Sequence, residues 1–267
     1  MHQQIADFFM FVRTHMKQYF TGAKLVLDIG SGDVNGNNRQ FFDNSCTIHG
    51  NDVFPGRNVD LVYRTTELPF LKPTFDTIIS SECFQHDAEY AESLKKAVTI
   101  LRPGGLLMFS CASTGCKEHG TRKHFPEKSF ATKGGLSKWR DYFKTLGLED
   151  IRAVLDLDAV FCHYGAYYNT KTQDLYFYGV KKDPKRPSLS IAIPEYTGPT
   201  IQNLLPPTPA PAPAPESAPE PVQEPAVVAP APVTVEELTP QEAMLVQQYL
   251  AMATGSGTMT TLISRTQ

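Results

Sequence analysis

Lys24-Leu-Val-Leu-Asp-Ile-Gly-Ser-Gly-Asp33 decides the fold. Apolar, β-prone residues run into Asp28, and a Gly30-Ser31-Gly32 turn follows. The pattern predicts a buried parallel strand that stops where a backbone-only loop begins. Glycine lets such a loop approach a ligand closely, because no Cβ stands in the way. About twenty residues on, Ile48-His-Gly-Asn-Asp52 closes a second short run with another acid. Strand, glycine turn, helix, strand and acid is the order in which α/β folds hold an adenine nucleoside, the acid accepting hydrogen bonds from the ribose hydroxyls. The glycines alone do not choose the ligand. Gly30, Gly32 and Gly36 read G-x-G-x-x-x-G rather than the G-x-G-x-x-G that seats a pyrophosphate. A plain strand-to-helix turn would look the same.

More segments follow in a telling order. Glu67-Leu-Pro-Phe70 precedes Thr74-Phe-Asp-Thr-Ile-Ile-Ser-Ser-Glu82, an apolar strand with Asp76 near its start. Then come Cys83-Phe-Gln-His86, a helical stretch, and Ile100-Leu-Arg-Pro-Gly-Gly-Leu-Leu-Met-Phe109. With these five segments, from about Lys24 to Phe109, the chain resembles the class I S-adenosylmethionine-dependent methyltransferases, closest to the type-11 group. The resemblance implies a Rossmann-like α/β fold: a mainly parallel seven-stranded sheet with its last strand antiparallel and helices on both faces. Asp174-Leu-Tyr-Phe-Tyr-Gly-Val180 fits that last strand.

The resemblance also implies S-adenosyl-L-methionine as cofactor. Asp28, Gly30, Ser31 and Gly32 would hold its methionine end, and Asp52 its ribose. Thr66 and Glu67 are candidates on the adenine side, with Thr65 as an alternative, and Val53 and Leu68 are counted with the cofactor-binding residues. Ser81 and Glu82, with Phe84, Gln85 and His86, would line the space between sulfonium and substrate. Two positions depart from the family pattern: Val34 stands where a third glycine is common, and Arg64 where an acid is common. Asn35 and Arg39 are candidate contacts to the cofactor carboxylate; alternatively Asn37 or Asn38 simply caps the next helix.

His86, Glu118 and His119 are the catalytic candidates. His86 either shapes the pocket or acts as a base. The chemistry needs no base unless the acceptor must lose a proton, because alignment and desolvation can supply much of the acceleration. The acceptor pocket is expected from Ser113 to Pro126, which also contains His124, and from Phe161 to Asn169, where Tyr164, Tyr167 and Tyr168 can form an aromatic wall. The alternative is a polar lid loop and a core-packed aromatic turn. Cys111, Cys116, His119 and His124 are spaced C-x4-C-x2-H-x4-H, which is not a tight structural-zinc pattern, so no metal is expected.

Charge and composition set further bounds. The chain has 267 residues and a net charge of −3. Residues 206–267 hold six Glu and one Arg, which leaves the remainder slightly basic. A near-neutral domain gives no nucleic-acid signature. Lys117 to Lys144 is locally basic, which is either a solvated face or a site for an anionic acceptor. Five scattered cysteines suit a reducing compartment. No basic leader precedes the first apolar residues and no run approaches a membrane span, so a cytoplasmic location is expected.

The coarse organisation is then one domain over residues 1–182, a Pro/Ala-rich flexible linker over 183–233, a short docking helix over 234–253 and a disordered end over 254–267. Pro-Ala alternation cannot sustain a hydrogen-bond ladder and buries almost nothing. In the docking segment, Thr239, Pro240 and Glu242 form a capping-box start, and the helix would need its own domain or a protein partner to be stable. Strands are expected near 24–29, 47–52, 59–63, 75–80, 105–111, 151–157 and 174–180. Helices are expected over 3–20, packed on the sheet edge, and near 36–43, 88–101 and 134–146. Two rival functions remain: a catalytically silent module working through its tail, and an NAD(P)-dependent oxidoreductase. The second does not account for the Leu-Pro-Phe, Phe-Asp and Pro-Gly-Gly segments.

Overall fold

The computed structural model describes residues 2–34, 36–134, 139–187, 191 and 193–206. The expected helix at 234–253 and the Pro/Ala-rich run beyond residue 206 lie outside the described residues. Strands β1 (Leu25–Ile29), β2 (Thr47–Asp52), β3 (Leu61–Val62), β4 (Phe75–Ser81), β5 (Leu101–Ala112), β6 (Phe161–Asn169), β7 (Asp174–Lys181) and β8 (Ile201–Asn203) form one sheet. Their order is β3-β2-β1-β4-β5-β7-β6-β8. The β3-β2, β2-β1, β1-β4 and β4-β5 pairs are parallel, whereas β7 is antiparallel to both β5 and β6. The strand inserted against the grain is therefore the expected 174–180 segment. The sheet has an eighth strand beyond the expected seven: β8 pairs antiparallel with the outer edge of β6. The fold thus runs past residue 182, and part of the expected linker belongs to the sheet.

Each central strand is buried on both sides, and its alternate residues feed two cores. Leu27, Ile78, Leu107, Phe109 and Phe177 face one, together with Leu94, Ala97 and Ile100 of helix α2 (Tyr90–Ile100). Val26, Ile79, Leu106, Met108, Tyr176 and Tyr178 face the other. Helix α1 (Gln3–His15) covers this second face with Ile5, Phe8, Phe9 and Val12, all fully buried. Phe8 stacks on Tyr176 with ring centroids 4.9 Å apart. The N-terminal helix therefore lies over the middle of the sheet, not on its edge.

Other expectations fail for identifiable reasons. The 36–43 segment holds only one 3₁₀ turn, Asn38–Phe41, capped by Asn37, whose side chain accepts from the Arg39 amide at 3.0 Å. The expected strand at 151–157 is instead helix α4 (Leu148–Val154). Leu148, Ile151 and Leu155 are buried at helical spacing, and Asp150 accepts from the Gly147 amide at 2.8 Å to close the first turn. Near 134–146, helix α3 (Phe130–Lys133) ends before the expected helix begins. Further on, the Lys144 and Leu146 amides donate to Gln85 and Ala112 carbonyls, so they are committed to other segments. Strand β5 starts at Leu101, so Arg102-Pro-Gly-Gly105 lies inside an irregular strand beginning. The Phe161–Asn169 segment is strand β6 rather than a turn, and helix α5 (Leu157–Val160) leads into it.

Candidate active site

Chain order reverses between β1 and β4, the place where open α/β sheets bind ligands beyond their strand ends. A cavity of about 440 Å³ lies there. Asp28, Gly30, Ser31, Gly32, Asp52, Val53, Ser81 and Glu82 line it, as do His86, Glu118 and His119. Thr66, Glu67 and Leu68 do not. Thr66 donates to Glu89 at 3.0 Å, Glu67 pairs with Arg64 at the surface, and Leu68 is buried in the core. Thr65 lines the cavity in their stead. None of Leu68, Pro69 and Phe70 lines the cavity.

The glycine turn is built by close approach. Gly30 has φ 73°, and a Cβ placed there would come within 2.5 Å of the Cys83 side chain. The Gly30 and Ser31 amides both donate to the Asn51 carbonyl, which ties the turn to β2. The Gly32 amide donates to an Asp52 oxygen at 3.0 Å, and the Val53 amide to the other at 2.7 Å. Burial lifts the Asp52 carboxyl to about 6 despite these amides.

Asp28 is fully buried, and Asn38 Nδ2 donates to its Oδ1 at 2.7 Å. Its Oδ2 has no partner among the described residues. Burial raises this carboxyl to about 7, with Asn38 and Arg39 pulling the other way. Of the two asparagines that compete as caps, Asn37 does the capping and Asn38 holds Asp28. Arg39 pairs with Asp60 at 2.6 Å and does not line the cavity; Asn35 lies outside the described residues.

Strand β4 delivers the other half of the site. Glu82 takes a left-handed backbone, φ 54°, immediately after the strand. Ser110 Oγ donates to Glu82 Oε1 at 3.0 Å, and Gln85 Nε2 to Glu82 Oε2 at 3.2 Å. Desolvation and then the negative charge of Asp174 push the Glu82 carboxyl up to about 8. Asp174 itself is almost wholly buried at the start of β7 and lines the same cavity. Burial draws the His86 ring down to about 3, aided by His119, whose ring stands 5.0 Å away. Glu118 is held by Thr121 Oγ1 at 2.7 Å.

The expected tyrosine wall is not part of the cavity. Tyr167 is in the core, while Tyr164 and Tyr168 donate to Asp158 and to the Thr114 carbonyl. The aromatic lining comes from Tyr63, Phe125, Phe130 and Trp139. Phe130 lies flat enough against the glycine turn that a Cβ on Gly32 would meet its ring at 2.3 Å. His124 does not face the cavity. Within the basic 117–144 stretch, Lys117 and Lys128 reach the cavity, whereas Arg122 and Lys144 are spent on Asp141 and Asp150. Cys111 is buried within β5.

Residues 27–109 match the family described as the methyltransferase domain. The matched stretch, under a third of the chain, is similar to that methyltransferase domain family. The match ends at Phe109, so it contains both acids of the β1–β2 loops and the whole β4 segment, but neither Asp174 nor the 116–134 segment. No curated protein matches the chain significantly.

Among solved structures, phosphoethanolamine N-methyltransferase 2 of Haemonchus contortus, determined with S-adenosyl-L-methionine, is 17% identical over 64% of this chain and 52% of its own, with a TM-score of 0.44. A putative sarcosine dimethylglycine methyltransferase from Galdieria sulphuraria is 14% identical over 61% and 64%, at 0.42. A putative methyltransferase complexed with the Trm112 activator of Haloferax volcanii is 13% identical over 66% and 95%, at 0.43. The chain spans about half the length of the nematode enzyme. Among the described residues, no helix is long and apolar enough to cross a membrane.

Proposed function

We propose that the cavity binds S-adenosylmethionine and that the domain transfers its methyl group to an acceptor lying toward β4, β5 and β7. One observation carries this: Asp28 and Asp52 end adjacent parallel strands beside the switch point, and the buried Asp28 Oδ2 has no partner among the described residues. An orphaned buried carboxylate oxygen is costly unless a ligand completes it. The residues present fit the cofactor. Asp52, fixed by two amides, keeps lone pairs for two ribose hydroxyls. Asp28 and the Gly30–Gly32 turn take the methionine end. The half-buried Phe130 ring packs against Gly32. When bound, S-adenosylmethionine supplies a methyl group already activated on a sulfonium.

The domain's own task is then alignment and exclusion of water. His86 is neutral at working pH and a weak base, so it shapes the pocket rather than taking a proton. Calorimetry with S-adenosylhomocysteine, with NADH as competitor, tests the proposal. Micromolar binding that NADH does not displace is expected. Preference for NADH would return the oxidoreductase alternative, and no binding of either would return the silent module.

A further inference from the structure

Across the cavity wall, charge is one-sided. Among the described residues it presents six carboxylic acids against two lysines, although the chain outside its acidic tail is slightly basic. Asp28 and Asp52 serve the cofactor end in the proposed function, on which this inference rests. Glu82 and Asp174 stand elsewhere. Asp174 opens β7, three strand positions from β1, so it lies roughly 14 Å along the sheet edge.

The unpartnered polar atoms at that end share one property. Asp174 Oδ2, Gln85 Oε1 and His86 Nδ1 are buried and have no partner among the described residues. Gln85 already donates its amide hydrogens toward Glu82, which leaves its oxygen as the unpaired atom. His86 Nδ1 is buried without a partner among the described residues, and a neutral imidazole can present that nitrogen as an acceptor. Three buried acceptors, one of them an oxygen of Asp174 itself, together with the Glu82 carboxyl call for an occupant rich in N–H donors and positive charge.

We infer that Glu82 and Asp174, with Gln85 and His86, form a subsite for the ammonium group of the methyl acceptor, so that the transfer is to nitrogen. The acid pair takes the acceptor as an ammonium ion and accepts one proton from it. The nitrogen lone pair then forms a bond to the methyl carbon as the carbon–sulfur bond breaks toward sulfur. A methylammonium and a neutral thioether result, with the first proton left on the acid pair. Binding of the ammonium ion expels to solvent the proton that Glu82 holds in the free protein, and the ionised Glu82 carboxylate then takes the proton from nitrogen. The anionic acceptor expected from the basic 117–144 stretch does not fit this end of the cavity.

Propylamine and its neutral isostere 1-propanol are the probes, titrated by calorimetry into the full chain with and without saturating S-adenosylhomocysteine. Propylammonium is expected to bind at least about tenfold more tightly than propanol in both settings, and Asp174→Asn and Glu82→Gln are each expected to weaken it about tenfold. Thermal unfolding shows that each variant is folded, and either variant suffices. Equal or absent binding of the two probes overturns the inference. So does loss of propylammonium binding when S-adenosylhomocysteine is present, because the acids would then serve the cofactor's own amino group. Failure of S-adenosylhomocysteine to bind sinks the proposed function instead, and the amine titration without it still decides the subsite.

Discussion

The two ends of the sheet's carboxyl edge handle buried charge differently. At the β1–β2 end, Asp52 is cradled by backbone amides of Gly32 and Val53. At the β4–β7 end, Glu82 and Asp174 have side-chain partners for some oxygens and face each other's charge. Backbone cradles need glycine and short loops, and these leave a readable mark in sequence. Side-chain subsites can be assembled from distant strands, and they leave almost none. Both ends keep an unpartnered buried oxygen among the described residues, Asp28 Oδ2 at the first and Asp174 Oδ2 at the second, but only the first is framed by backbone amides.

The largest expected effect falls on the first end. Gly30→Ala should destabilise the fold by about 3 kcal/mol, because it forces a positive φ on alanine and drives its Cβ into Cys83. Denaturant unfolding measures it, and a loss below about 1 kcal/mol would show that the turn can relax. Next, Asp52→Ala should weaken S-adenosylhomocysteine binding by about 2 kcal/mol, roughly thirtyfold, through two lost charge-assisted hydrogen bonds. Asp174→Asn should shift the same affinity by less than about threefold, since it touches the other end. Equal losses in the two variants would erase the distinction between the ends.

The free protein should also lose stability as pH rises. The folded carboxyls of Asp28 and Glu82 lie near 7 and 8, above the ordinary values of 3.8 and 4.5. Such raised acids favour the folded state fully at low pH, and that contribution is lost as pH climbs through the folded values. His86 acts oppositely, but only between about 3 and 6.5, so it does not offset the change above that window. From pH 6.5 to 8.5 the loss should be about 1–2 kcal/mol, read as a falling melting temperature. A flat profile would mean that the acid pair is better solvated than its position suggests. The smallest effect is the control. Gly36 also has positive φ, 95°, but nothing stands within 4 Å of a Cβ there, so Gly36→Ala should cost only about 1 kcal/mol of backbone strain.

Much of the first end was legible. The Asp28 and Asp52 strand ends and the glycine turn follow from local periodicity and turn chemistry, which act over a few residues, whereas the antiparallel setting of β7 was expected from the family resemblance. Where the sequence misled, apolar runs fitted two periods. Residues 148–155 fit a strand as well as a helix until burial of Leu148 and Ile151 selects the helix. The tyrosines of 161–169 looked like a ligand wall, yet they belong to a strand whose neighbours take their hydroxyls. Asp174 carried one faint signal, an acid opening an otherwise apolar strand.

The sequence by itself determined the α/β class, the strand that ends in Asp28, the acid at Asp52 and the glycines between them, because each is enforced by backbone geometry within its own segment. Only the tertiary structure decided that Glu82 and Asp174, 92 positions apart in the chain, share one cavity. It also decided that Leu68 turns into the core, and that Phe130 covers the glycine turn. The reason is physical: sheet order places β7 beside β5 and β5 beside β4, and no local pattern encodes which strand ends become neighbours.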